Sequence, residues 1–458
     1  MFKKVLVANR GEIAVRVIRT LKEMGIKSVA IYSSADADSL HVKLADEAIS
    51  VGGAKSKDSY LNMKNILSAA LLTGAEAIHP GYGFLSENEL FVEMVEAVGL
   101  KWIGPSPHVI ELMGNKANAR ESMRAAGVPV IPGSEGFIRD ANEAKLVADR
   151  VGYPLLLKAA AGGGGKGMRF VYSEDELADK FDDAQREAKA AFGDEHMYVE
   201  KVMENVRHIE MQVMRDQFGH VLYFPERNCS LQRNNQKVME ESPALGVTPA
   251  MRENLGDIAT KAVNALQYEN TGTLEFLQDH DGHFYFMEMN TRIQVEHPVT
   301  EMVTGVDLIR MQIEVAAGEP LKVSQSDIAL KGHALEVRLN AEQPAKNFAP
   351  SAGTIDFAFL PTGGPGIRID SAIYTGDKIQ PFYDSMIGKL LVHADNRLEA
   401  VTKMDRILDE LVIQGVNTNA DFQKALLHDP TVARGMFDTR YLEKEFLPRW
   451  QASLPAAD

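Results

Sequence analysis

Residues Thr273–Leu277 and Phe284–Glu288 are two short apolar, strand-like runs on either side of Asp281-Gly282. Asp-Gly marks a tight hairpin turn, because glycine takes the positive φ that such turns need. Pairing outward from that dipeptide sets His280 opposite His283, Leu277 opposite Phe286 and Glu275 opposite Glu288. Cross-strand partners hold their Cβ atoms about 4.5–5.5 Å apart. Two carboxylates at that distance repel unless one takes a proton or a cation lies between them. Mg²⁺ (or Mn²⁺) suits the position, as a hard ion that accepts carboxylate oxygens together with substrate phosphates. Asn290 falls on the same face as Glu288 by the period of two and offers a further oxygen. Glu275, Glu288 and Asn290 are therefore the candidate metal ligands. A three-residue loop would slip the pairing by one and part the carboxylates.

The alternation continues past the hairpin. Glu288, Asn290, Arg292, Gln294 and Glu296 all lie at even positions. An extended backbone would project them to one side. A carboxylate such as Glu296 beside a cation such as Arg292 can bind a small oxyanion and move its proton.

A second unusual segment lies upstream, where Leu155–Ala161 runs into Gly162-Gly163-Gly164-Gly165-Lys166-Gly167 and then Met168–Tyr172. Consecutive glycines carry an entropic cost that is tolerated where the backbone must approach a ligand closely. Their bare N–H groups can wrap phosphate oxygens. Lys166 is followed by Gly167 and not by Ser or Thr, and strands flank the loop on both sides. The segment is thus no Walker-type P-loop but a glycine hairpin suited to folding over nucleotide phosphates, with Lys158 on the strand before it.

Around these segments the chain reads as α/β. Val5–Ala8 and Ser28–Tyr32 read as strands around an amphipathic helix, Glu12–Met24, that ends at Gly25. Ala75–Ile78 and Trp102–Gly104 follow as short strands. That order predicts a parallel sheet. The first turn, Asn9-Arg10-Gly11-Glu12, lacks the G-x-G-x-x-G fingerprint and so disfavours a nicotinamide dehydrogenase. From about Lys331 the pattern becomes strand-rich, with Ala334–Ala341, Gly353–Phe359 and Gly366–Ser371, then helix Arg397–Leu411 and a helical tail. At about 150 residues per domain, 458 residues suggest roughly three domains. A net charge of −15 argues against a nucleic-acid partner. No run approaches the ~20 apolar residues of a membrane span, and the N-terminal apolar run is too short for a signal peptide. Cys229 is the single cysteine, so no internal disulfide forms, and it reads as a buried small residue. A cytoplasmic location is expected.

Taken together, Gly162–Gly167, the hairpin glutamates and Glu288-Met-Asn-Thr-Arg-Ile-Gln-Val-Glu-His-Pro-Val-Thr-Glu301 resemble the ATP-grasp enzymes of the biotin carboxylase family. So do Ala8–Glu12, His79-Pro-Gly-Tyr-Gly-Phe-Leu-Ser-Glu-Asn88 and Tyr383-Asp-Ser-Met-Ile-Gly-Lys389. The resemblance covers nearly the whole chain. It implies a Rossmann-like parallel-sheet domain over 1–113 and an ATP-grasp domain over 114–330, with a mobile lid at about 131–203. A C-terminal α+β domain over 331–446 and a tail over 447–458 follow. It implies ATP and Mg²⁺ as cofactors and bicarbonate as substrate. Biotin arrives on a separate biotin carboxyl carrier protein, with separate carboxyltransferase subunits, as in acetyl-CoA carboxylase.

By the same resemblance Glu296 is the base that deprotonates bicarbonate, Lys237 and Arg292 bind it, and Gln294 and the Val295 backbone orient it. Arg338 stabilises the biotin enolate, and Tyr82 stacks on the biotin ring. Lys116, Lys158, His208, Gln232, Gly164 and Gly165 join Glu275 and Glu288 around the nucleotide, and Glu200, Lys201, Val202 and Met203 form the adenine edge. Arg16, Arg19 and Glu23 share one face of the first helix, where family members pair as homodimers; a solvated charged face fits that spacing equally well.

The sequence departs from the family pattern at Ala161, Lys166, Val206 and Asn234-Asn235. The last pair stands where Arg-His is usual and removes a potential nucleotide contact. Two other readings compete. One is another ATP-grasp ligase, or the biotin carboxylase component of a propionyl-CoA or pyruvate carboxylase. The other is a non-catalytic ATP-binding regulator, which would be expected to have lost Glu288, Arg292 or Glu296.

Overall fold

The structure is a computed structural model that describes residues 1–159 and 167–454. The chain opens on strand β1 (Lys4–Val7) and helix α1 (Gly11–Glu23), followed by β2 (Lys27–Ser33), β3 (Glu47–Gly52), β4 (Ala77–His79) and β5 (Lys101–Trp102). These pair in parallel in the order β3-β2-β1-β4-β5. Helix α1 forms because Ile13, Ala14, Val17, Ile18 and Leu21 recur at helical spacing and are all buried. It stops where Gly25 takes φ +71°, the left-handed conformation that terminates helices.

The glycine segment lies between β6 (Leu155–Ala159) and β7 (Arg169–Val171), which pair antiparallel, with β8 (Met197–Lys201) on the other side of β6. These strands and two helices enclose a small core of their own, including Ile138, Val147, Leu157, Phe181 and Val199. Residues 160–166, which include Gly164, Gly165, Ala161 and Lys166, lie outside the described residues.

A large continuous sheet is built from β9 (Arg207–Arg215), β11 (Arg227–Arg233), β12 (Gln236–Ser242), β13 (Asn270–Gln278), β14 (Phe284–Asn290) and β15 (His333–Asn340), to which Met386–Ala394 and Ile367–Ser371 add. The short strand β10 (Val221–Tyr223) pairs with β9 beside this path. The order is β14-β13-β9-β11-β12-β15, then Met386–Ala394 and Ile367–Ser371. The antiparallel pairing of β12 with β15 carries the central sheet without a break into the C-terminal region. The stretch Gly353–Phe359, expected as one strand, is instead two short strands that pair with different partners, Lys378–Ile379 and Val412–Gln414. Among the described residues no helix is long and apolar enough to cross a membrane.

Candidate active site

The β13–β14 hairpin places Glu275 opposite Glu288, but by a different route from the count outward from Asp281-Gly282. The Asp279 N–H donates to the His283 carbonyl at 3.0 Å, which closes a three-residue loop with Gly282 at φ +85°. Asp279 Oδ1 accepts the N–H groups of Asp281 and His283 at 3.0 and 2.9 Å, and this side-chain cap selects the longer loop. Leu277 therefore pairs with Tyr285 and not with Phe286. A bulge between Glu275 and Phe276 then absorbs the extra residue and restores the pairing of the two glutamates.

The even-numbered side chains after Glu288 do converge, although the backbone is not extended. Strand β14 ends at Asn290, and Glu296 is the residue just before helix His297–Thr304. Asn290 Nδ2 and Gln294 Nε2 each donate to Glu275 Oε1 at 2.8 Å. Arg292 Nη2 donates to Asn290 Oδ1 at 2.8 Å, while its Nε donates to Glu87 Oε2 at 2.7 Å. A turn gathers these side chains as effectively as alternation would have done.

Lys237, on β12, is the centre of the cluster. Its Nζ donates to Glu296 Oε1 at 2.6 Å, to Glu275 Oε1 at 3.0 Å and to Glu210, on β9. From β15, Arg338 donates Nη2–H to Glu296 Oε2 at 3.0 Å and Nε–H to Glu240 Oε1 at 2.6 Å. Each oxygen of the Glu296 carboxylate thus meets a different cation. Burial raises the Glu296 carboxyl, but Lys237, Arg338 and Arg227 together hold the group below its ordinary value, Lys237 contributing most. Glu275 is likewise kept ionised against burial, by Lys237 and His208. The same carboxylates hold Lys237 well above the ordinary lysine range despite its burial.

His208 lies 3.1 Å from Glu210 and 3.2 Å from Glu275 through Nε2, and its Nδ1 is 2.8 Å from Gln232 Nε2. Burial would lower its pKa, but Glu275 and Glu210 push it up to about 9. Buried Arg227 spans Glu210, Gln212, Thr300 and Gln294 from beneath the cluster. The Cys229 thiol is fully buried beside Glu210, and burial pushes it up, which removes it as a nucleophile.

A second group of charges flanks the first. Lys116 Nζ is 3.2 Å from Glu288 Oε2, and Lys158 contacts Glu200. Backbone N–H groups of Lys201 and Val202 donate to the carbonyls of Pro132 and Pro154 at 2.7 and 3.0 Å, which fixes the segment leading to Met203. Tyr82 sits in the turn after β4, tied down where Asn9 Nδ2 donates to the carbonyls of Pro80 and Tyr82 at 2.7 and 2.8 Å.

Glu275 and Glu288 offer hard oxygen donors side by side, and each already has an ammonium counter-ion, Lys237 and Lys116 respectively. That donor set fits a divalent cation bound together with phosphate oxygens. Asn290 is less available, since its amide oxygen faces Arg292. A cavity of about 770 Å³ lies away from the cluster, beside the hairpin tip and Arg434–Tyr441. Lys237 and Arg338 line a recess of only about 20 Å³.

Some expectations need amendment. Arg16 does not share an open face with Arg19 and Glu23: its guanidinium donates to Glu301 at 2.9 Å and Asp307 at 2.8 Å in the same chain, while Arg19 and Glu23 remain exposed. Asn234 and Asn235, with φ +50° and +61°, form the two-residue turn between β11 and β12, a positive-φ geometry that asparagine adopts readily. Glu210, Arg227 and Glu87 were missed in the sequence. Glu210 had a signal, since it lies on the face of β9 that carries His208. Arg227 had none.

A sheet that bears paired carboxylates and a carboxylate clamped by two cations is the equipment of an ATP-dependent ligase of the ATP-grasp type. Comparison with known proteins agrees. Residues 1–110 match the biotin carboxylase N-terminal domain, 115–324 the ATP-binding domain of the carbamoyl-phosphate synthase L chain, and 336–444 the biotin carboxylase C-terminal domain. The chain is 52% identical over 444 residues to biotin carboxylase 1 of Bacillus subtilis, covering 97% of this chain and 98% of that one. It is 51% identical to a pyruvate carboxylase subunit of Methanothermobacter thermautotrophicus, covering 97% and 90%. Its structure is similar to that of the biotin carboxylase domain dimer of Hydrogenobacter thermophilus 2-oxoglutarate carboxylase, in complex with MgADP, ADP and bicarbonate (TM-score 0.92, 50% identity, all of both chains covered). The chain belongs to the biotin carboxylase family, ATP-dependent ligases that carboxylate biotin.

Proposed function

We propose that this chain carboxylates biotin held on a separate carrier protein, as the first half-reaction of acetyl-CoA carboxylase in the cytoplasm. The observation that carries the reading is the Glu296 carboxylate held between Lys237 and Arg338, one oxygen to each. Glu296 would take the proton of bicarbonate, whose negative charge Lys237 and Arg292 would neutralise. The freed oxygen attacks the γ-phosphorus of ATP and releases ADP, leaving carboxyphosphate. The C–O bond of carboxyphosphate then breaks, the departing phosphate takes the N1′ proton of biotin and N1′ takes the carboxyl carbon, while Arg338 faces the charge that develops on the ureido oxygen.

Tyr82 would pack against the biotin ring, and Gln294 with the Val295 backbone would orient bicarbonate. Lys116, Lys158, His208 and Gln232 would meet the nucleotide, whose adenine would lie along Glu200–Met203. Glu275 and Glu288, with Asn290, would hold Mg²⁺, which supplies charge neutralisation on the transferring phosphoryl group.

The carrier is proposed as separate by likeness to biotin carboxylase 1 of Bacillus subtilis, 98% of whose length the match covers. Carboxyltransferase subunits and a second copy of the chain complete the assembly; the Hydrogenobacter relative is a dimer. The likeness to a component of a pyruvate carboxylase supports pyruvate as a second acceptor, chosen by the transferase and not by this chain. ATP turnover measured with and without bicarbonate, free biotin and biotinylated carrier tests the reading. Turnover should need bicarbonate and should favour the carrier, because tethering raises local biotin concentration. Turnover indifferent to bicarbonate, or a streptavidin signal on the chain itself, would overturn it.

A further inference from the structure

Lys389 ends the Tyr383–Lys389 segment, which takes no part in the chemistry above. Its side chain is fully buried, although it carries a charge. An ammonium placed there needs a reason, since desolvation is costly unless the group is paired and hydrogen-bonded.

Its partners come from the two other domains. Nζ donates to the main-chain carbonyl of Val295 at 2.8 Å and lies 3.0 Å from Glu12 Oε1, on α1. The same Glu12 oxygen accepts the hydroxyl of Tyr82. Nζ also lies 5.9 Å from the centroid of the Tyr82 ring.

The sheet explains the arrangement. Lys389 and Arg338 are direct cross-strand partners, so both project from one face. They grip consecutive residues: Arg338 takes the Glu296 carboxylate and Lys389 the Val295 carbonyl. The neighbouring acids do not compete for the ammonium by hydrogen bonding. Asp370, opposite Lys389 on the other side, is engaged by Arg368 at 2.9 and 2.7 Å, and neither carboxyl oxygen of buried Glu336 has a hydrogen-bond partner.

We propose that Lys389 is a positioning residue that fixes the Val295–Glu296 segment and, through Glu12, the Tyr82 ring, so that the bicarbonate side and the biotin side of the site are held in register. The proposal rests on the functional reading above and deepens it. Lys389 touches no reacting atom; it acts through the peptide before the base and through the ring that faces biotin. Losing it frees both sides at once, whereas losing Glu12 frees only the ring.

Those two arms give the test. Lys389→Met should lower kcat for carboxylation of free biotin by about 10²-fold, the scale of an ångström-level misplacement. It should raise KM for both bicarbonate and biotin and leave ADP affinity as in wild type, with unfolding still cooperative but at a lower midpoint, because buried Glu12 loses its counter-ion. Lys389→Arg, which keeps the charge and the donors, should recover part of the loss. Glu12→Gln and Tyr82→Phe should raise KM for biotin several-fold more than KM for bicarbonate, and the double variant should cost no more than the larger single one. These two decide the matter even where Lys389→Met fails to fold. Wild-type kinetics in Lys389→Met, or equal shifts of both KM values in Glu12→Gln, would overturn the proposal alone. A wild type that does not carboxylate biotin would overturn the functional reading itself.

Discussion

Replacing Lys237 by Gln removes a cation that touches three buried carboxylates, Glu210, Glu275 and Glu296. A unit charge pair near 4 Å is worth about 4 kcal/mol at an effective dielectric of 20, and the contacts to Glu296 and Glu275 are shorter, at 2.6 and 3.0 Å. Arg338, Arg227 and His208 remain, so only part of that energy is lost from the resting site. What is lost fully is the cation facing an incoming anion, a deficit comparable with removing one preorganised donor, about 2.7–4 kcal/mol or 10²–10³ in kcat. Bicarbonate-dependent ATP cleavage should fall by that factor, with a raised KM for bicarbonate. ADP affinity should hold, because Lys116 and Lys158 are untouched. The pH profile carries a second signature. Lys237 is the strongest influence holding the Glu296 carboxyl below its ordinary value, so the acid limb, where the base becomes protonated, should move to higher pH. Steady-state phosphate release across pH, with bicarbonate varied, reads both effects. Wild-type turnover, or a loss expressed only as weaker ADP binding, would refute the reasoning.

Glu288→Lys should cut ATP cleavage with bicarbonate and free biotin by at least about a hundredfold, since a metal clamp on the transferring phosphate is a leading electrostatic contribution; undiminished turnover removes the metal assignment. Glu241→Gln should destabilise the fold by about 3 kcal/mol in urea melts, because it leaves Arg397 and His333 in a buried site without their carboxylate. Burial raises Glu241, yet His333 and Arg397 bring it down to about 2, so its stabilisation is complete above 4.5 and is lost as pH falls through about 2. Wild type should therefore lose stability over that window more steeply than the variant, and parallel curves would contradict the assignment. Glu23→Arg should increase the monomer fraction in sedimentation; a wild type that is monomeric at micromolar concentration disposes of a dimer through α1.

Local rules went far in this chain. Apolar runs on either side of Asp281-Gly282 located β13 and β14, the apolar spacing from Ile13 to Leu21 located α1, and Gly25 its end. Such signals are legible because side-chain direction and turn geometry are set within a few residues. They also mislead by small amounts. Nothing in Asp281-Gly282 itself reveals that Asp279 caps a longer loop, or that a bulge then re-pairs Glu275 with Glu288.

What the sequence alone determined is the inventory: a glycine-rich segment, paired carboxylates, a polar run from Glu288 to Glu296, and the family to which these belong. Only the tertiary structure decided the company each residue keeps. Glu210, Lys237, Glu275, Glu296 and Arg338 meet because β9, β12, β13 and β15 are strands of one sheet and the turn after β14 folds back over it. Arg16 turned from a surface charge into a tie to buried Glu301, and Lys389 from a motif residue into a link between Glu12 and Val295. Those contacts join residues hundreds of positions apart or on separate elements. They depend on how separate hydrophobic cores pack against one another, which is a property of the summed apolar surface and of no short run of residues.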